Sequence, residues 1–276
     1  MLPPEVVDLY RPPHPTGAGV VVLAGSSGAL DSERAALLAR HGAHALALRW
    51  FGGPGQQPAP YDVPLELVAE ALDLLGPDVD RLGMLGTSFG AELALVTATQ
   101  DDRRLAVVAL APSSVVWAGV DESIEPGRVT SHWTLDGEPL PYVAFDERWR
   151  PTTSPPSYRE LYEQSLRIHH DRVGAATIEA ERIAGEVVLV AGGDDQVWPS
   201  SWFAAEIERR RALAGLPTTV VVEQAAGHRV VLPGEQPVRR GQSMARGGTP
   251  ASDAALGRRA WPHVCRALSL RPHAGD

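Results

Sequence analysis

The stretch "GTSFG" (86–90) sets one serine, Ser88, between two glycines, with apolar runs on either side. A serine hydroxyl becomes a useful nucleophile when a base takes its proton and a third group orients that base. Both partners occur later in the chain. "EQAAGHRV" (223–230) supplies His228, whose neutral imidazole can take a proton and return it to a leaving group. "GGDDQVWPS" (192–200) supplies two acids. The spacing Gly192-x-x-Asp195 sets Asp195 further out in its loop, so Asp195 is read as the group that fixes the tautomer of His228. Asp194 competes for that role, its bland alternative being a local Asx-turn. The bland reading of Ser88 is a helix cap in a small-residue turn.

Attack on a carbonyl also needs donors for the developing oxyanion. The backbone N–H of Phe89, directly after Ser88, is one. The other is expected from "AGSSG" (24–28), with Ser26 as the donor and Ser27 as the alternative. A glycine-rich turn of this kind can also hold a phosphate. This one lacks the lysine and the spacing of a phosphate-cradling loop, so no nucleotide cofactor is expected. All 25 basic residues are arginine, which excludes a lysine Schiff base or a lysine general base. The pairs His169/His170 and His41/His44 lack carboxylate or cysteine partners at metal-ligand spacing, so solvated or capping roles are expected and no metal. Arg209-Arg210-Arg211 reads as an exposed helix face. Arg239-Arg240, in the loop after His228, reads as a solvated pair near the mouth of the site, its alternative being a contact to a carrier phosphate.

These groups must be carried by strands and helices. "GVVVLAG" (19–25) runs without polar alternation and reads as a strand buried on both faces. A helix follows over 32–40 with Asp31 as its cap, then a strand at 44–50. Residues 64–75 read as a helix with Pro64 at its first position. A strand at 81–86 leads through "GTSFG" directly into the helix "AELALVTA", the context a nucleophile elbow requires. Further strands fall at 105–112, 186–193 and 218–224, with helices at 201–213 and 252–268. Six buried strands alternating with helices predict an α/β fold with a doubly wound, mainly parallel sheet. Functional groups of such sheets collect beyond the C-terminal ends of the strands. Ser88, Asp195 and His228 each follow a strand, in the chain order of a hydrolase triad. Residues 113–185 are too long for a crossover and read as a cap inserted between two strands, with a hairpin at "HWTLDGEPLPY".

Composition narrows the partners. The net charge is −9, which argues against nucleic acid or an anionic membrane surface as a ligand. Cys265 is the lone cysteine, so no intramolecular disulfide forms, and it reads as buried packing on the last helix. No apolar run has the length of a signal peptide core or a membrane span, and a cytoplasmic location is the expectation.

With these residues in hand, the chain resembles the C-terminal catalytic domain of the acyl-CoA thioesterase and bile acid-CoA:amino acid N-acyltransferase family, within the α/β-hydrolase superfamily. The resemblance runs from about Val20 to Leu268. It rests on "GSSGALDSERAALLARHGAHALALRWFG", "YDVPLELVAEALDLL", "GMLGTSFGAELAL", "WTLDGEPLPYV", "GEVVLVAGGDDQVWPS", "AGHRV" and "GGTPASDAALGRRAWPHV". It implies that Ser88, Asp195 and His228 match the family triad and that the chemistry is acyl transfer from a thioester through an acyl-enzyme. Members with acyl-CoA activity commonly carry an N-terminal β-sandwich domain. About nineteen residues precede the first strand read here, so the expectation is one hydrolase domain over 1–276 without that sandwich. The loop "RVVLPGEQPV" departs from the aromatic and proline-rich run usual in the family. Members that transfer to an amino acid tend to use cysteine at the position of Ser88, and hydrolytic members serine.

The expected function is therefore a serine thioesterase acting on acyl-CoA or on an acyl chain held by a carrier protein, in a biosynthetic setting, without a cofactor. An esterase or lactonase on oxygen esters uses the same triad. An acyltransferase or cyclase replaces water by an amine or hydroxyl. A hydrolase fold kept only as a binding module is the alternative from a different class.

Overall fold

The computed structural model describes residues 2–76, 79–119, 129–236 and 243–272. Seven strands form one sheet: β1 (Val7–Tyr10), β2 (Ala18–Leu23), β3 (Ala43–Leu48), β5 (Arg81–Thr87), β6 (Ala106–Leu110), β9 (Val187–Gly192) and β10 (Thr219–Glu223). Their spatial order is β1-β3-β2-β5-β6-β9-β10, every neighbouring pair being parallel except β1 with β3. This is the α/β-hydrolase sheet that the sequence predicts, with one strand more at its edge. β1 lies in the segment before "GVVVLAG" and pairs antiparallel to β3, Val7 opposite Leu48.

The uninterrupted apolar runs follow from burial on both faces. Val21, Leu23, Leu46, Leu48, Met84, Val107 and Leu189 pack into one core, where α2 (Glu66–Leu75), α3 (Phe89–Gln100) and α6 (Ser200–Leu213) lie. Their alternates Val20, Val22, Ala45, Ala47, Leu85, Val108 and Val190 pack into a second core against α1 (Ser32–Arg40) and α7 (Pro250–Ala267). α3 is buried from Phe89 to Thr99, so its sequence carries no amphipathic stripe.

The insertion after β6 is attached to the body by short pieces of backbone pairing. β7 (Trp133–Leu135) and β8 (Glu138–Pro139) form the expected hairpin, turning at Asp136 and Gly137, both with positive φ. β7 also pairs in parallel with β4 (Val63–Pro64), making a three-stranded sheet. Helices α4 (Arg159–Ile168) and α5 (His170–Ala176) complete the described part of the insertion.

Several local expectations change. Pro64 is a strand residue, and α2 begins at Glu66 with Leu65 as its N-cap. Asp31 makes no side-chain cap and instead lies 3.3 Å from Arg34. α7 begins two residues earlier than read, where Thr249 and Ser252 close a capping box ahead of Pro250. His41 caps the C-terminus of α1 but is buried, its Nδ1 2.8 Å from the Arg271 carbonyl oxygen and its ring edge-on to Trp261. Arg211 is buried rather than part of an exposed face. Its guanidinium donates to the carbonyls of Ala180, Ile183, Gly185 and Pro217 and to the Thr218 hydroxyl. Cys265 is buried as expected.

The tightest constraint on the fold is where β5 turns into α3. A Cβ on Gly90 would stand 2.3 Å from the carbonyl oxygens of Leu23 and Ala24, and one on Gly86 would stand 2.0 Å from the Gly90 carbonyl oxygen. Both are far inside van der Waals contact with backbone that cannot swing aside. Gly90→Ala is therefore expected to cost about 3 kcal/mol or more. Gly174→Ala, in α5 with open space around the new methyl, is expected to gain about 0.5–1 kcal/mol. Urea unfolding of the two variants checks both signs.

Candidate active site

Ser88 stands between β5 and α3 with φ 57 and ψ −122. No L-residue other than glycine adopts that region without strain, so the surroundings must hold it. They do so through backbone. Ser88 N donates to the Leu110 carbonyl at 2.9 Å, and its own carbonyl accepts from the N–H groups of Ala91 and Glu92. The side chain is half-buried. The loop after β2 touches it directly, since a Cβ on Gly25 would lie 3.3 Å from the Ser88 Cβ. Phe89 is the first residue of α3, where no intrahelical carbonyl takes its N–H. Ser26 and Ser27 are exposed, and the Ser27 hydroxyl accepts weakly from Ala29 N at 3.4 Å.

The two aspartates after β9 separate cleanly. Asp195 is fully buried and its carboxylate meets four donors. Oδ1 accepts from the N–H groups of Val197 at 2.9 Å and Trp198 at 3.2 Å, and Oδ2 accepts from the Ser200 hydroxyl at 2.6 Å and lies 2.8 Å from His228 Nδ1. Such a set satisfies a buried carboxylate and aims it at the ring. The N–H is thereby placed on Nδ1, and Nε2 keeps the lone pair. Asp194 is exposed and turned the other way, accepting from Gly248 N at 2.8 Å and from the Gln196 amide at 2.8 Å.

His228 reaches this position because its loop lies backbone to backbone on the acid loop. Gly193 N donates to the Glu223 carbonyl at 2.9 Å, Asp194 N to Ala226 at 3.0 Å, and His228 N to Arg246 at 2.8 Å. Aromatic rings then tie the histidine to the elbow. The Trp198 ring lies edge-on to His228 at 5.7 Å and also contacts Phe89 at 5.5 Å. The structure thus brings Asp195 and His228 together as a hydrogen-bonded pair. Ser88 is connected to that pair through the neighbouring Phe89 and Trp198 rings, rather than by a hydrogen bond of its own side chain among the described residues. Arg239 and Arg240 lie outside the described residues. Among the described residues no group of three or more His, Cys, Asp or Glu side chains is placed to hold a metal, and no helix is long and apolar enough to cross a membrane.

Residues that the sequence reading did not single out complete the surroundings. Glu92, one turn into α3, is fully buried. Its Oε1 accepts from the Trp117 N–H at 3.1 Å and the Trp133 indole at 2.8 Å and lies 3.3 Å from His132 Nδ1. The three partners all belong to the insertion. The His132 ring packs on Phe89 at 4.2 Å. Tyr162, from α4, fits the same cluster, and burial, followed by the charges of Glu92 and Asp195, pushes its phenol well above the ordinary tyrosine value. Ser200 is the other side chain on the Asp195 carboxylate. A glutamate at position four of an otherwise apolar helix, and a serine five residues after the acid, are the faint signals that point to them.

Against this geometry, the chain matches the family described as BAAT / Acyl-CoA thioester hydrolase C terminal over residues 63–269. The chain belongs to that family. It is 26% identical over 263 residues to acyl-coenzyme A thioesterase 6 of Homo sapiens and 25% identical over 260 residues to acyl-coenzyme A amino acid N-acyltransferase 2 of Mus musculus. Each alignment takes in 89% of this chain and 58% of the relative, so the chain spans little more than half the length of these BAAT / Acyl-CoA thioester hydrolase relatives. Two solved structures share the fold. A probable hydrolytic enzyme from Pseudomonas aeruginosa has a TM-score of 0.52 at 15% identity, over 95% of this chain and 88% of its own. The esterase domain of a Rhodothermus marinus protein has 0.51 at 14%, over 95% and 92%.

The insertion's hold on α3 makes a testable point. Glu92→Ala leaves three buried donors without an acceptor and is expected to cost about 3 kcal/mol or more. Glu92→Gln keeps the one oxygen that accepts and alters only Oε2, which has no partner among the described residues, so its cost is expected near or below about 1 kcal/mol. Equilibrium unfolding in urea separates the two.

Proposed function

We propose that the chain is a serine thioesterase that hydrolyses an acyl thioester through an acyl-Ser88 intermediate. The observation that carries this reading is the Asp195–His228 pair at 2.8 Å, in a fold that also holds Ser88 at positive φ at the turn from β5 into α3. Membership of the acyl-CoA thioester hydrolase family supports the choice of thioester over other acyl compounds.

In this mechanism Ser88 Oγ attacks the thioester carbonyl carbon while His228 Nε2 takes the hydroxyl proton. Asp195 holds the ring and stabilises the imidazolium that forms. The oxyanion is met by the N–H of Phe89 and by a second donor from the loop after β2, for which we propose Ser26; each is worth on the order of 3 kcal/mol in comparable sites. Collapse breaks the carbon–sulfur bond, and the thiolate leaves with the proton from His228. Water, deprotonated by the same Nε2, then attacks the acyl-serine and releases the acid with Ser88 restored. The thiol is coenzyme A or the phosphopantetheinyl arm of a carrier protein, with the reaction placed in a biosynthetic pathway of the cytoplasm.

A second reading has its own support. One of the relatives of near-equal identity is an N-acyltransferase, in which an amine takes the place of water. A serine rather than a cysteine at position 88 favours hydrolysis.

Thiol release from a panel of acyl-CoA and acyl-pantetheine thioesters, beside matched oxygen esters, tests the proposal. Thioester turnover lost in Ser88→Ala is the expected result, with turnover of oxygen esters alone the overturning one. Asp195→Asn should lower kcat by about ten-thousand-fold, while Asp194→Asn stays within several-fold of wild type. In water enriched in oxygen-18 the released acid should carry the label, and an unlabelled amide formed in the presence of amines would establish transfer instead.

A further inference from the structure

Arg34 is buried on α1 and makes no contact with solvent worth the name, at 8% exposed. Its guanidinium is shared among three segments. Nε and Nη2 grip the Glu235 carboxylate at 2.6 and 2.9 Å as a two-pronged fork. Nη1 donates to the Thr87 hydroxyl at 2.7 Å, and Nη2 also reaches the Val230 carbonyl at 3.3 Å. Asp31 closes the remaining side at 3.3 Å from Nη1. Glu235 in turn accepts from Leu232 N at 2.9 Å, so the loop after His228 is folded around this one ion pair.

The positions of the partners are what matter. Thr87 directly precedes Ser88, Val230 lies two residues after His228, and Arg34 itself lies in the first turn of the helix that follows the loop touching Ser88. We propose that Arg34 is a positioning residue, whose buried fork holds the segment behind the nucleophile and the segment behind the base at a fixed separation. This rests on the reading of Ser88 and His228 given above. Burial alone would pull the guanidinium down, but Glu235 and then Asp31 hold it well above the ordinary arginine value, so it stays charged throughout. The fork is the essential feature. A lysine in its place is a point charge that can satisfy Glu235 or Thr87 but cannot span both.

Stability and reactivity should separate in variants of this fork. A buried pair replaced by apolar side chains of similar volume is often neutral in stability. Arg34→Met combined with Glu235→Leu should therefore fold and melt near wild type. A misplacement of about 1 Å costs roughly a hundred-fold in rate, so its kcat should fall by about 30- to 100-fold with KM within about threefold. The rate at which a fluorophosphonate labels Ser88 should fall in step, a readout that needs no knowledge of the substrate. Thr87→Val, which removes a single hydroxyl, should lower labelling by about tenfold, and Arg34→Lys should melt near wild type while labelling Ser88 more than about threefold slower. Should the double variant fail to fold, the Thr87→Val result decides alone. Variants that fold and label Ser88 within about threefold of wild type would overturn the role of Arg34, as would full recovery of rate in Arg34→Lys. A wild-type protein that the probe does not label at Ser88 would overturn the hydrolase reading and this role with it.

Discussion

The arrangement depends on one strained residue. Ser88 sits at φ 57, in a region that costs of order 1–3 kcal/mol and survives only when the surrounding structure over-determines it. The over-determination is visible. Gly86 and Gly90 let β5 and α3 meet without Cβ atoms, the backbone of Leu23 and Ala24 closes against Gly90, and the Leu110 carbonyl takes the Ser88 N–H. Three strands, β2, β5 and β6, therefore converge on a single residue. What results is a serine directly beyond the C-terminal end of β5, at the head of α3 where the helix dipole favours negative charge.

Two buried carboxylates flank that point, and they are handled differently. Asp195 has donors on both oxygens, two backbone N–H groups and the Ser200 hydroxyl besides His228, so it is fixed in direction and satisfied as an anion. Glu92 has its donors on Oε1 alone, from Trp117, Trp133 and His132. The first arrangement orients a ring, whereas the second fastens the insertion to α3 within one turn of Ser88. The Phe89 ring lies between them, in contact with His132 on one side and Trp198 on the other. Displacement of the insertion would thus be felt at the residue after Ser88.

The parallel sheet was legible because burial on both faces removes polar alternation from β2, β5, β6 and β9, and the pairing of Asp195 with His228 was legible because each lies in the loop that follows a strand. The edge strand β1 was not. It is four residues long, its side chains are half-exposed, and Asp8 and Tyr10 interrupt any apolar run. Pro64 suits the start of a helix and an edge strand equally, and only pairing with the insertion decides for the strand. The choice of Asp195 over Asp194 rested on a spacing argument, but the fold separates them by which way each side chain turns once Gly248 and His228 arrive from elsewhere. Glu92, Arg34 and Arg211 were illegible for one reason. Each is defined by partners far along the chain, up to 201 residues away for Arg34 and Glu235, and a single sequence carries no trace of such pairing.

The absence of lysine takes on a structural meaning at the two buried arginines. Arg211 joins α6 to the carbonyls of the segment that leads into β9, and Arg34 joins α1 to the last residue of β5 and to the loop after β10. Both sites need several donors fanned in one plane toward acceptors on different segments. A guanidinium offers five N–H groups in fixed directions and remains charged when buried, whereas an ammonium is more strongly hydrated and loses its proton more readily. On the surface either cation serves. That is not so at Arg34, where the geometry of the fork links Glu235 to Thr87 and lysine would leave one of them without its partner.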